Sequence, residues 1–115
     1  MDDDRYCPYF HHTVELLGRR WSGVILKVLA ASGPMRFRDI RDRVPGLSDR
    51  LLTSRLGELE TEGIVARCEH DGVSCYGLTP KGQGLEPVLD AVAVVSRDWA
   101  RAEAPAPRPG RIRAS

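Results

Sequence analysis

Few side chains of this sequence can do covalent or metal chemistry: Cys7, Cys68 and Cys75, with His11, His12 and His70. Cys7 has Arg5, His11 and His12 near it in sequence, and neighbouring positive charge lowers a thiol pKa and raises its reactivity. A sensing thiol and an inert structural thiol are both open readings of that position. Cys68, His70 and Cys75 offer sulfur and imidazole ligands, yet they lack the C-x-x-C or H-x-x-x-H spacing of a zinc site, so no metal is expected. A cysteine hydrolase needs a His and an orienting carboxylate or carboxamide brought to the thiol, and only the bare residue types are present. No Gly-rich phosphate loop occurs. An enzyme is therefore not expected, nor is a cofactor.

The arginines carry a stronger signal. The 115 residues hold 17 Lys+Arg against 16 Asp+Glu, a net charge of +1, but the charge is unevenly spread. Residues 36 to 55 contain six arginines (36, 38, 41, 43, 50, 55) against three aspartates, and the end of the chain adds Arg108, Arg111 and Arg113 without an acid. A basic middle on a neutral chain is a local footprint for a polyanion. The three cysteines, an odd number, fit reduced thiols better than a secreted scaffold. No apolar run approaches the roughly 20 residues that span a bilayer, and the start is acidic where a signal peptide is basic. A cytoplasmic protein without membrane contact is expected.

The elements that must position these residues can be read from periodicity and punctuation. Phe10 to Gly18 reads as a short helix with Val14 and Leu17 inward and Gly18 as its C-cap. Trp21, Val24, Ile25, Val28 and Leu29 form one apolar helical stripe, which Gly33-Pro34 ends. Met35 to Phe37 is a candidate short strand, and a helix near Arg38 to Val44 turns Ile40 and Val44 inward. After the turn Pro45-Gly46, Ser48 is placed to cap a helix that runs to about Glu62 and stops at Gly63. Two strand-like runs, Ile64 to His70 and Val73 to Thr79, flank Asp71-Gly72, a strong hairpin signal because both central positions need positive φ. Opposite residues then sum to 143, which sets Arg67 against Tyr76 and Cys68 against Cys75. A cross-strand disulfide is geometrically open to that last pair, although a reducing cytosol argues against a permanent bond. Thr79-Pro80 opens the last helix, with a kink or restart expected at Pro87. The expected division is an arm over 1–9, a domain over 10–103 and a disordered basic tail over 104–115.

Helix, turn, helix and hairpin in that order describe a winged helix-turn-helix, an α+β, mostly α fold with a two- to three-stranded wing. At about 100° per residue the second helix puts Leu52, Leu56 and Leu59 on one side, with Arg50, Thr53, Ser54, Gly57 and Thr61 on the other. That outer face is short, hydroxylated and carries an arginine near its N-terminal end, the part of a recognition helix that meets base edges. In the last helix Leu85, Val88, Val92, Val95 and Trp99 repeat at a mean spacing of 3.5, the seam of two packed helices, so terminal dimerisation helices and a homodimer are expected.

The sequence resembles the HxlR-type winged-helix transcriptional regulators, relatives of the MarR group. The resemblance lies in Cys7-Pro8, Leu17-Gly18-Arg19-Arg20-Trp21, Met35-Arg36-Phe37, Val44-Pro45-Gly46-Leu47-Ser48, Leu52-Thr53-Ser54-Arg55-Leu56, Leu59-Glu60, Gly63-Ile64-Val65 and Tyr76-Gly77-Leu78-Thr79-Pro80-Lys81-Gly82. It implies a bacterial homodimer on double-stranded operator DNA, with the helix from Ser48 as recognition helix and the Asp71-Gly72 hairpin as wing. Arg36, Arg38, Arg41, Ser48, Arg50, Thr53, Ser54 and Arg55 are the residues expected at DNA. Cys7 is similar to the cysteine that some of these regulators use as a redox or electrophile switch, so a small-molecule or electrophile effector is expected. Two departures stand out: Gly57 occupies a position where the family usually has a basic residue, and the wing lacks the usual Pro-rich basic tip. The alternative from another class is a winged helix that binds only protein, as an adaptor or an antagonist of another regulator.

Overall fold

The computed structural model describes residues 6–103, so the expected tail over 104–115 lies outside the described residues. Helix α1 spans Pro8–Gly18. It begins two residues before Phe10, because Pro8 needs no N–H partner in the first turn and the Cys7 sulfur accepts from the Phe10 N–H at 3.5 Å. Val14 is exposed and Leu16 is the buried residue of this helix. Leu17 is half-buried against the core as expected, and among the described residues α1 packs mainly on α2, at Ser22–Ser32, which leaves Val14 exposed. Gly18 ends the helix as its last residue, with Arg19 at the C-cap. Trp21 caps α2 in a left-handed conformation, φ 78°, unusual for a bulky residue. Its ring lies 3.5 Å from where a side chain on Gly46 would begin. Within α2, Ile25, Leu26 and Leu29 enter the core while Val24 stays exposed.

Helix α3, Phe37–Arg43, buries Ile40, and Val44 follows it into the core. The turn at Pro45-Gly46 uses a positive φ at Gly46, and Leu47 then goes inward. Ser48 Oγ accepts from the Leu51 N–H at 3.1 Å, opening α4 at Asp49–Thr61, whose Leu52, Leu56 and Leu59 fill the centre of the core. Gly63, at φ 76°, reverses the chain into β1 (Val65–His70), which pairs antiparallel with β2 (Val73–Leu78). The register is the one the Asp71-Gly72 turn dictates, from Val65 opposite Leu78 to His70 opposite Val73. The expected third strand shrinks to a single bridge: Met35 and Tyr76 exchange two backbone bonds of 2.9 and 2.8 Å.

Thr79 caps α5 (Pro80–Gln83), its Oγ1 accepting from the Gly82 N–H at 3.1 Å. The helix then restarts as α6, Glu86–Ala102, with Pro87 in its first turn, where a missing N–H is harmless. Leu89 of α6 is buried and Leu85 half-buried against the core. No helix of the described residues is long and apolar enough to cross a membrane.

Candidate nucleic-acid interface

The buried leucines of α4 fix which of its residues face out. Arg50, Thr53, Ser54, Gly57 and Thr61 are all exposed on one side, in agreement with the periodicity. Thr61 spends its hydroxyl on the Gly57 carbonyl at 3.0 Å, a helix-internal bond. Arg50, Thr53 and Ser54 sit near the N-terminal half of this face, and Ser48 is held by the cap bond that starts the helix.

The arginines before α4 are not equivalent. Arg36 is forked onto Asp39, Nε to Oδ2 at 3.1 Å. That bond raises the Arg36 pKa and holds the Asp39 carboxyl below its ordinary value. Arg41 reaches the first turn of α4 and donates to both oxygens of Asp49, at 3.0 and 3.2 Å, which raises its pKa as well. Arg38 is exposed. Arg43 points the other way, donating to Ser32 Oγ at 2.8 Å.

Arg55 departs most from the sequence expectation. Its side chain is 18% exposed and pairs with Glu58, while its Nε donates to the Arg20 carbonyl at 2.7 Å. Arg19 reaches the same Glu58 at 3.3 Å, so the guanidinium is used to join α4 to the α1–α2 junction. The i, i+3 spacing of Arg55 and Glu58 was a signal of this internal role. A second tie, His12 Nε2 to Glu62 Oε1 at 2.9 Å, links α1 to the end of α4, and the His12 bond lowers the Glu62 pKa. The bonds from Arg55 to the Arg20 carbonyl and from His12 to Glu62 have no such signal, since each joins distant segments.

On the wing, Arg67 lies over the Tyr76 ring at 5.5 Å and pairs with Glu60 at 3.3 Å. Cys68 and Cys75, directly opposite in register, are bonded as a disulfide, with Cα atoms 5.0 Å apart. Cys7 is the free thiol of the described residues and is half-buried at the N-cap of α1. The two histidines beside it pair with Glu15 and Glu62. Along α6, Val88, Val92, Val95 and Trp99 are exposed, Trp99 to 68%, as are Tyr9, Phe10 and Val14 on α1.

Residues 16–104 match the model of the HxlR-like helix-turn-helix family. The chain belongs to that family. It is accordingly a transcriptional regulator, of a kind that carries no enzyme activity. It is 36% identical over 102 residues to YvaP of Bacillus subtilis strain 168, an uncharacterized HTH-type transcriptional regulator, covering 86% of this chain and 94% of YvaP. The HTH-type transcriptional regulator YodB of the same organism is 41% identical over 86 residues, 72% of this chain and 76% of YodB. Its reduced form superposes with a TM-score of 0.69 at 35% identity, covering 93% of this chain and all of that one. The redox regulator HypR in its oxidized form gives a TM-score of 0.67 at 30% identity over 84% of this chain and 97% of its own. Winged-helix neighbours and the two-stranded sheet agree on the fold class expected from the sequence.

Proposed function

We propose that this regulator is a cytoplasmic homodimer that binds operator DNA, with α4 in the major groove, and that modification of Cys7 switches it. The observation that carries the reading is the outer face of α4, where Arg50, Thr53 and Ser54 stand exposed on a helix whose other side is locked into the core. Such a face suits hydrogen bonding to base edges. Arg36, Arg38 and Arg41 lie on the preceding helix or at its cap, where they suit phosphate contacts. Arg55 is left out of the base-reading set because its donors are spent inside the protein.

The dimer is supported by apolar residues that the described residues of one chain leave uncovered, Val92 to 57% and Trp99 to 68% on α6, with Tyr9, Phe10 and Val14 on α1. Leu85, which closes the chain's own core, contributes less than the residues from Val88 to Trp99.

The switch is supported by position. Cys7 starts α1, the helix whose exposed Tyr9, Phe10 and Val14 belong to the proposed dimer face, so an adduct there acts on both recognition helices at once. YodB is known quinone-bound and diamide-treated, which supports an electrophile or oxidant as effector. Fluorescence anisotropy against the DNA upstream of the gene tests the whole reading. Wild type should bind specifically and release after quinone or diamide, while Cys7→Ser should bind and stay bound. Absence of specific binding would favour a purely protein-binding winged helix. Equal release in both proteins would remove Cys7 from the mechanism.

A further inference from the structure

We propose that Cys68 and Cys75 form a reversible dithiol–disulfide couple, a redox site separate from Cys7, that sets whether the tip of the wing over residues 69–74 is ordered. The two residues face each other across the ladder with Cα atoms 5.0 Å apart, within the range a disulfide spans without moving the backbone. The dithiol and the disulfide therefore fit one and the same hairpin.

Location gives the bond its leverage. On the core side of the pair the hairpin is anchored by buried Val65, by the Met35–Tyr76 bridge and by Arg67 over the Tyr76 ring. Beyond the pair, Glu69, His70, Asp71, Gly72, Val73 and Ser74 are all exposed. A two-stranded hairpin with no third strand and no packed face is marginal in water. The covalent link falls at the boundary between the two regimes.

Access supports exchange. Cys68 is half-exposed while Cys75 is buried, and both line a groove of about 780 Å³ between the wing and the α2–α3 segment. That volume is in the range of small-molecule sites and admits a low-molecular-weight disulfide. A regulator of transcription works beside DNA, in a compartment where structural disulfides are rare and those that form are mostly transient or sensing.

The chemistry balances as ordinary thiol–disulfide exchange. The half-exposed Cys68 thiolate attacks one sulfur of a low-molecular-weight disulfide and expels one thiolate. The Cys75 thiolate then attacks the Cys68 sulfur of the mixed disulfide and expels the second. The two cysteines are oxidised, the small disulfide is reduced to two thiols, and the cysteine protons end on the departing thiolates. Two small thiols reverse the sequence.

The couple can be tested without DNA, so its failure is separate from failure of the operator-binding reading. Full-length Cys7→Ser protein is equilibrated in buffers of reduced and oxidised glutathione. Thiol trapping with intact mass measurement reads the redox state, and amide hydrogen exchange reads the wing. The expected result is a single dithiol-to-disulfide transition within the buffer series, with exchange over residues 69–74 at least about tenfold faster in the dithiol form and that of 65–67 unchanged. Cys68→Ser, a change at a half-exposed position, should show the faster tip exchange in every buffer. A pair that stays reduced, or stays bonded, across the whole series overturns the proposal. So does tip exchange that is equal in the two forms.

Discussion

Arg55 Nε and the Arg20 carbonyl oxygen lie 2.7 Å apart, a charge-assisted bond between helix α4 and the segment that joins α1 to α2. The guanidinium is 18% exposed and also contacts Glu58, so solvent competes weakly for it. Arg55→Ala should lower stability by about 1.5–3 kcal/mol, the range for hydrogen bonds to charged groups. Arg55→Lys should recover less than half, since an ammonium cannot reproduce the fork. Urea denaturation followed by circular dichroism reads both. Unchanged stability with weakened DNA binding would return Arg55 to the interface.

Within the proposed interface, base reading and phosphate contact separate by their response to sequence and salt. Arg50→Ala should cost about 1–3 kcal/mol on the specific site and relax preference at one base pair. Arg38→Ala should weaken all sequences alike and reduce the salt slope by about one. Anisotropy titrations on matched and shuffled sites at several salt concentrations distinguish the two.

Val92 is 57% exposed in the middle of the apolar face of α6. Val92→Asp places a charge where the proposed partner helix would bury it, and should convert a dimer to a monomer with little change in helical content. Sedimentation equilibrium at micromolar concentration reads the difference. An unchanged oligomeric state would put the subunit contact elsewhere.

Acid should weaken the α3 region through Asp39. The bond from Arg36 holds its carboxyl below the ordinary value, so the stability it contributes is present above the unfolded carboxylate range. That contribution is lost as pH falls through the lower, folded value. Both side chains are well exposed, which makes the effect small. Arg36→Met should lower stability slightly at neutral pH and leave it unchanged in strong acid, flattening this part of the acid limb, as followed by thermal melts between neutral and strongly acidic pH.

Much of the arrangement is local and therefore legible in the chain. Asp71-Gly72 fixes the hairpin register without reference to anything else, Ser48 caps its own helix, and Pro87 forces a restart because it lacks an N–H. The outward face of α4 follows from three leucines at helical spacing. What periodicity does not carry is which side of a helix meets a neighbour. Val14 and Val24 belong to apolar patterns, yet stay exposed because no element among the described residues covers them. Long-range pairings are invisible for the same reason: nothing near Arg41 or Arg55 in sequence announces Asp49 or the Arg20 carbonyl. The disulfide is an intermediate case, since the turn sets the pairing while the bond also depends on redox conditions.

The two tryptophans stand at opposite kinds of surface, Trp21 beside the Gly46 turn and Trp99 on the open flank of α6. Each chain thereby carries two intrinsic emitters that report on different events. Indole emission moves to shorter wavelength when water leaves the ring, so association through α6 should appear as a blue shift from Trp99. Loosening of the helix-turn-helix should appear as a red shift from Trp21. Trp99→Phe protein isolates the second signal, and the unlabelled regulator becomes its own optical record of assembly and of unfolding.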